Sequence, residues 1–198
     1  MFKGNKNASE APVQNSKNTY VAEEIEITGN FTGQGSILIE GTVHGNISVT
    51  SVVIGEKGSI NGIINATNVI VNGKLNGSIF CDTLEVMKNG YVSDEVKVKT
   101  LLISGIVDGS IEAKEEITVD NNGVVHASTM KSKTITVTGD FKGAITASTI
   151  LNIGSTGSVE GEITVQNIKT DEGGKLLGAI HTYEKKKKPE LTEERLQA

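Results

Sequence analysis

The chain of 198 residues has only 2 prolines and 1 cysteine, no tryptophan, and an aromatic content of 4%. Both prolines, Pro12 and Pro189, sit near the ends, so nothing in the long middle removes an N–H donor from a backbone ladder. The lone Cys81 excludes an internal disulfide and a cysteine-based zinc site, in keeping with a reducing compartment. No apolar run approaches the roughly 20 residues of a membrane-spanning helix. Residues 1–20 lack the apolar segment of a signal peptide, and a cytoplasmic protein is expected. Residues 22–182 carry 19 acidic and 11 basic side chains, whereas residues 1–21 are +2 and residues 183–198 are +1. An acidic body poor in aromatics is a poor nucleic-acid groove.

What is abundant is glycine, with 22 of its 23 copies between Gly29 and Gly178, and β-branched side chains. The chain has 22 Ile and 19 Val against 10 Leu, and 20 Thr besides, a bias toward strands that makes an all-helical protein untenable. The glycines mark a repeat, Gly-x-apolar-x-Gly-x-Ile. Its copies are GTVHGNI (41–47), GSINGII (58–64), GKLNGSI (73–79), GYVSDEV (90–96), GIVDGSI (105–111), GVVHAST (123–129), GDFKGAI (139–145), GSVEGEI (157–163) and GKLLGAI (174–180), with a degenerate GNFTG at Gly29. The fifth position is Gly in seven of the nine full copies, and Asp94 and Ala127 replace it in the others.

Between copies, apolar residues alternate, skip two positions and alternate again, as in Ile47-x-Val49-x-x-Val52-x-Ile54. Alternation denotes a short strand with one buried face, and the skip a corner that keeps the same face inward. First glycines recur every 15 to 18 residues. That period has no room for a hairpin pair or a helix per unit, so the expected fold is an all-β, single-stranded parallel β-helix of about nine coils over residues 22–182. At ~4.8 Å per coil the rod should be ~43 Å long. One inward column should run through Val43, Ile60, Leu75, Val92, Val107, Val125, Phe141, Val159 and Leu176. A second should run through Ile47, Ile64, Ile79, Val96, Ile111, Ile145, Ile163 and Ile180, with Thr129 as its exception. The repeated glycines are expected at corners that need positive φ or close backbone approach. Both hands of coil satisfy these columns.

Catalytic constellations are sparse. His44 and His126 share the outward fourth position of the unit but stand five coils apart, ~24 Å, beyond any shared metal or proton. His181 has no obvious partner. Cys81 stands where other copies carry Val49, Ala66, Val98 and Ala113, which reads as a buried small hydrophobe. The Gly-rich segments at 29–35 and 154–161 lack both the Gly-Lys-Ser/Thr ending and the helix of a phosphate loop. No nucleotide, metal or other cofactor is expected.

The ends carry the clearer signal. A solenoid without caps leaves unpaired backbone and apolar rungs at both ends. No amphipathic helix precedes Ile25, and the last coil runs straight into a charged tail. Self-association is therefore expected through Ile25, Ile27, Phe31 and Ile37 at one end and Leu176, Leu177, Ile180 and Tyr183 at the other, the alternative being tails folded over the ends. Leu177 stands out as the one apolar residue at a fourth position.

The repeat, the acidic surface and the polar tails closely resemble the bactofilins, bacterial cytoskeletal proteins. SVVIGEKGSINGIINATNVIVNGKLNGSI (51–79) carries the likeness most specifically, and it extends over roughly 25–180, weakening from Asp94 to Met130. The resemblance implies a right-handed β-helix between disordered tails (1–21 and 183–198). It also implies head-to-tail polymerisation without nucleotide, and a scaffold under the inner membrane that positions envelope proteins for cell shape, peptidoglycan work or motility. Some family members bind membrane through a short N-terminal segment, and Met1, Phe2, Lys3 and Lys6 look like one; a merely disordered tail is the alternative. Two other classes stay open beside the filament. One is a non-polymerising adaptor for an envelope enzyme; the other is a hexapeptide-type acyltransferase, which needs a stricter period than this chain has.

Overall fold

Short strands that each bury one face can share a core only by winding the chain so that like strands stack. The computed structural model describes residues 18–184, and over them the chain is a parallel β-solenoid of about 10 coils with no helix. Every strand pairing is parallel. The first coil comprises Asn18–Val21, Glu26–Thr28 and Phe31–Thr32, and the last comprises Ile168–Thr170 and Lys175–Thr182. The ladder thus begins four residues before the expected start at 22. Asn18–Val21 pairs in register with Ser36–Ile39 and buries Val21, which extends the alternation backwards.

Both expected inward columns are present. The first begins at Ile27, passes through Val43, Ile60 and Leu75, and ends at Val159 and Leu176. The second begins at Phe31 beside Ile47 and ends at Ile163 and Ile180. Thr129 does not interrupt it. The register shifts after Ala127, so that Thr129 pairs with Ser110 and Met130 takes the inward place between Ile111 and Ile145, fully buried. A one-residue bulge at Ser128 explains the shift, because a single extra residue turns the following side chains to the other face unless the strand kinks.

The drift in period arises mainly at corners, with a bulge such as that at Ser128 adding a residue within a stacked strand. Corners at residues 22–25, 55–58, 87–90, 120–123, 154–157 and 171–174 are four-residue turns, each closed by an N–H···O bond from the last residue to the first, 2.7–3.2 Å. Those at Glu40–Gly41, Asn72–Gly73, Ser104–Gly105 and Thr138–Gly139 are two residues shorter. Long and short corners alternate along the first nine coils, so the long ones protrude every second coil and touch each other. Lys57 pairs with Glu23, and Asn89 Nδ2 donates to Glu56 Oε1 at 3.4 Å.

The two glycine positions of the unit serve different needs. Fifth-position glycines such as Gly45, Gly62 and Gly143 have φ between 140° and 155°, a region closed to L side chains, and a Cβ there would strike the carbonyl oxygen of the coil before. Asp94 fills one of these places in the left-handed region, at φ 79°. First-position glycines such as Gly58 lack the positive φ and are required only by crowding against the preceding coil.

Candidate assembly ends

The outward fourth position forms a polar column along one side of the rod. His44 Nε2 lies 3.3 Å from Glu26, and Asn61 Nδ2 donates to His44 Nδ1 at 3.3 Å. Asn76 donates to Asn61 at 2.9 Å. Farther along, His126 Nδ1 meets Asp108 at 3.1 Å and Lys142 meets Glu160 at 3.4 Å. The two histidines therefore serve separate local pairs. His181, expected to be alone, lies 3.6 Å from Glu162 of the coil above.

Cys81 is half-buried rather than fully buried, since its corner opens onto a recess shared with Phe80, Lys97 and Lys99. Its Sγ donates to Thr83 O at 3.4 Å. Desolvation, and then the Asp82 carboxylate, push the thiol up to about 12, which leaves it protonated and a weak nucleophile. Alkylation by iodoacetamide at pH 8 is expected to run about 1,000-fold slower than in the urea-unfolded chain, and to rise about tenfold per pH unit up to pH 11. A fast reaction at pH 8 would contradict the burial. Because the folded value is raised above the ordinary 9.0, the neutral thiol stabilises the fold below pH 9, and that contribution is lost as pH rises through 12.

At the C-terminal end, Leu176 and Ile180 are the last members of their inward columns, with no further coil stacked beneath them among the described residues. Ile180 is 53% exposed, and Leu176 half-buried. Leu177 is the most exposed large apolar residue described, at 68%. It continues the outward polar column under Glu160, which places it on the rim of the end rather than on its face. Tyr183 extends the last ladder, its N–H donating to Val165 O at 2.8 Å. Ile168, which ends the column above it at Leu151, joins this face and is exposed; its register with Leu151 in the alternation is the signal that marks it.

At the N-terminal end, Ile27 and Phe31 are half-buried first rungs, and Ile25 lies exposed on the corner beside them. Ile37 does not belong to this face. It is 2% exposed, because Thr19 of the first strand covers it and Val52 lies below. The structure thus gathers Ile27 and Phe31 at one end and Leu176, Ile180 and Ile168 at the other, with Ile25 and Leu177 on the rims. Met1, Phe2, Lys3 and Lys6 lie outside the described residues, as does the tail from residue 185 onward. Among the described residues no helix is long and apolar enough to cross a membrane.

A family model described as bactofilin, polymer-forming cytoskeletal, matches residues 19–104 and again residues 97–181. Each match spans about half of the solenoid, and the two overlap at residues 97–104, across the end of the unbroken strand Tyr91–Ile103, so the two units share one continuous core. No curated protein and no solved structure matches the chain.

Proposed function

The chain belongs to the bactofilin family of polymer-forming cytoskeletal proteins, and on that premise we propose that its copies stack end to end, without nucleotide, into filaments. The observation that carries this reading is that, among the described residues, no further coil stacks on the first or the last one. Placing the last coil of one copy over the first coil of the next sets Leu176 on Ile27 and Ile180 on Phe31, continuing both inward columns at the ordinary ~4.8 Å spacing. Burying such side chains contributes about 1.5–3 kcal/mol each, and the joint also pairs two open strand edges.

The chain then acts as a structural scaffold rather than a catalyst. It lies in the cytoplasm against the inner membrane and arrays envelope proteins along a regular rod. Membrane contact through Met1, Phe2, Lys3 and Lys6 adds to this reading: one aromatic and a few lysines hold a single copy weakly, and a polymer multiplies the contact. Purified protein, freed of nucleotide and examined by sedimentation and negative-stain microscopy, is expected to form filaments. Monomers over a wide concentration range would overturn this and assign the chain to the passive adaptors.

A further inference from the structure

One face of the rod departs from the alternation that governs the rest. In the strands Asn18–Val21, Ser36–Ile39, Ser51–Ile54 and Asn68–Val71, the outward residue between two inward ones is Tyr20, Leu38, Val53 and Ile70. Register stacks these four directly on one another. The remaining outward residues of those strands are Asn18, Ser36, Ser51 and Asn68, so four coils of flat sheet face solvent with an apolar stripe and no charge. Tyr20 is 61% and Leu38 37% exposed. Beyond Ile70 the same column reads Glu85, Leu102, Thr118, Thr136, Asn152 and Lys169, polar at all but Leu102, which shows that the fold does not require apolar residues there. The signal in the sequence is three consecutive apolar residues, Ile37-Leu38-Ile39, Val52-Val53-Ile54 and Val69-Ile70-Val71, where alternation calls for a polar middle.

We propose that this stripe docks the same stripe of a second copy, face to face and antiparallel, so that two filaments pair side by side; this rests on the end-to-end reading above. A second copy fits for three reasons. First, a two-fold axis between the second and third coils sets Leu38 opposite Val53 and Tyr20 opposite Ile70, apolar on apolar throughout. Second, the full outward column holds just two charges, Glu85 on the fifth coil and Lys169 on the tenth. Continuing the same register along a head-to-tail filament sets Glu85 of one strand of the pair opposite Lys169 of the other. The same register also sets Leu102 opposite Asn152, and Thr118 opposite Thr136, so no like charges meet.

Third, the size suits a filament and not a free dimer. Four coils offer a footprint of about 14 Å by 13 Å, roughly 200 Å² against the roughly 800 Å² per partner of a stable complex. One such contact is weak; repeated at every copy along two rods it accumulates. Each chain carries a single stripe, so association stops at two filaments.

Microscopy of three variants tests this. The unaltered chain is expected to give paired filaments. Leu38→Thr/Val53→Thr/Ile70→Asn, which installs the residue types the second half already carries, should give single filaments with an unchanged sedimentable fraction. Glu85→Lys should reduce the paired fraction several-fold, and Glu85→Lys/Lys169→Glu should restore it. Pairs that survive the triple variant, or single filaments from the unaltered chain, overturn the proposal and leave end-to-end assembly standing. Should no filaments form at all, end-to-end assembly fails on its own, and the stripe is judged in solution. In a Cys81→Ala background, concentrated Tyr20→Cys protein mixed with Ile70→Cys protein is treated with a bis-maleimide spanning about 10 Å, the gap between packed sheets, whereas like positions lie three coils out of line. Crosslinked dimers in several-fold excess over either protein alone support the pairing, and no excess overturns it.

Discussion

Ile180→Asp is expected to raise the concentration needed for sedimentable polymer by at least about 100-fold, with thermal unfolding of the chain unchanged. In the proposed joint Ile180 lies over Phe31 inside a continued core, and a carboxylate there loses its hydration with no partner to offset the loss. A penalty of about 3 kcal/mol already shifts an association constant by two orders of magnitude. In the isolated chain the same side chain is half exposed, so the substitution costs the fold little. Leu177→Arg is the instructive companion. Leu177 lies on the rim in the outward column, where an arginine can reach water, so it should weaken assembly by about tenfold or less. Sedimentation across a dilution series separates the two. Equal effects at both positions would place the joint on the side of the rod rather than across its end, and an assembling Ile180→Asp chain would refute the end-on joint.

Gly143→Ala is expected to lower folding stability by about 3 kcal/mol or more. Its φ of 140° lies outside the range an alanine tolerates, and the new Cβ would press into the carbonyl of Ala127 in the coil before. Relief would require the two coils to part at a place where each is hydrogen-bonded to the other. Gly33→Ala supplies the contrast. Gly33 has ordinary φ and open space around its hypothetical Cβ, so the substitution should be neutral or stabilise by about 0.4–1 kcal/mol by restricting the unfolded chain. Urea denaturation of both variants measures the difference. A loss below about 1 kcal/mol at Gly143 would mean that the coils slide past each other more freely than the stacking allows.

Much of this molecule was readable before folding, for a physical reason. A solenoid repeats one local solution, so each column samples the same environment about ten times. Val43, Ile60 and Leu75 identify an inward column because each confirms the others, and fifth-position glycines recur because each coil presents a carbonyl to the next. Reading failed where a copy departs from the pattern by one residue. Ser128 is a single insertion, and without knowing which residue bulges, Thr129 and Met130 compete for one inward place; only pairing with Ile111 and Ile145 decides it. The alternation of long and short corners lay in the spacings of 17, 15, 17 and 15 residues between the early glycines, but its consequence, a protruding edge where Lys57 reaches Glu23, depends on contacts two coils apart.

The ends divide in the same way. Composition and periodicity by themselves determined that the chain is an all-β coil, because alternation, glycine spacing and missing prolines act locally and need no knowledge of what stacks on what. Only the tertiary structure decided which apolar residues remain open. Ile37 and Ile180 look alike in the repeat. Thr19 and Val52 cover Ile37, whereas Ile180 has Ile163 above and no coil below among the described residues. Exposure is a property of the neighbouring coil and not of the residue, which is why a periodic sequence can specify a rod completely and still leave its contact faces to be found in three dimensions.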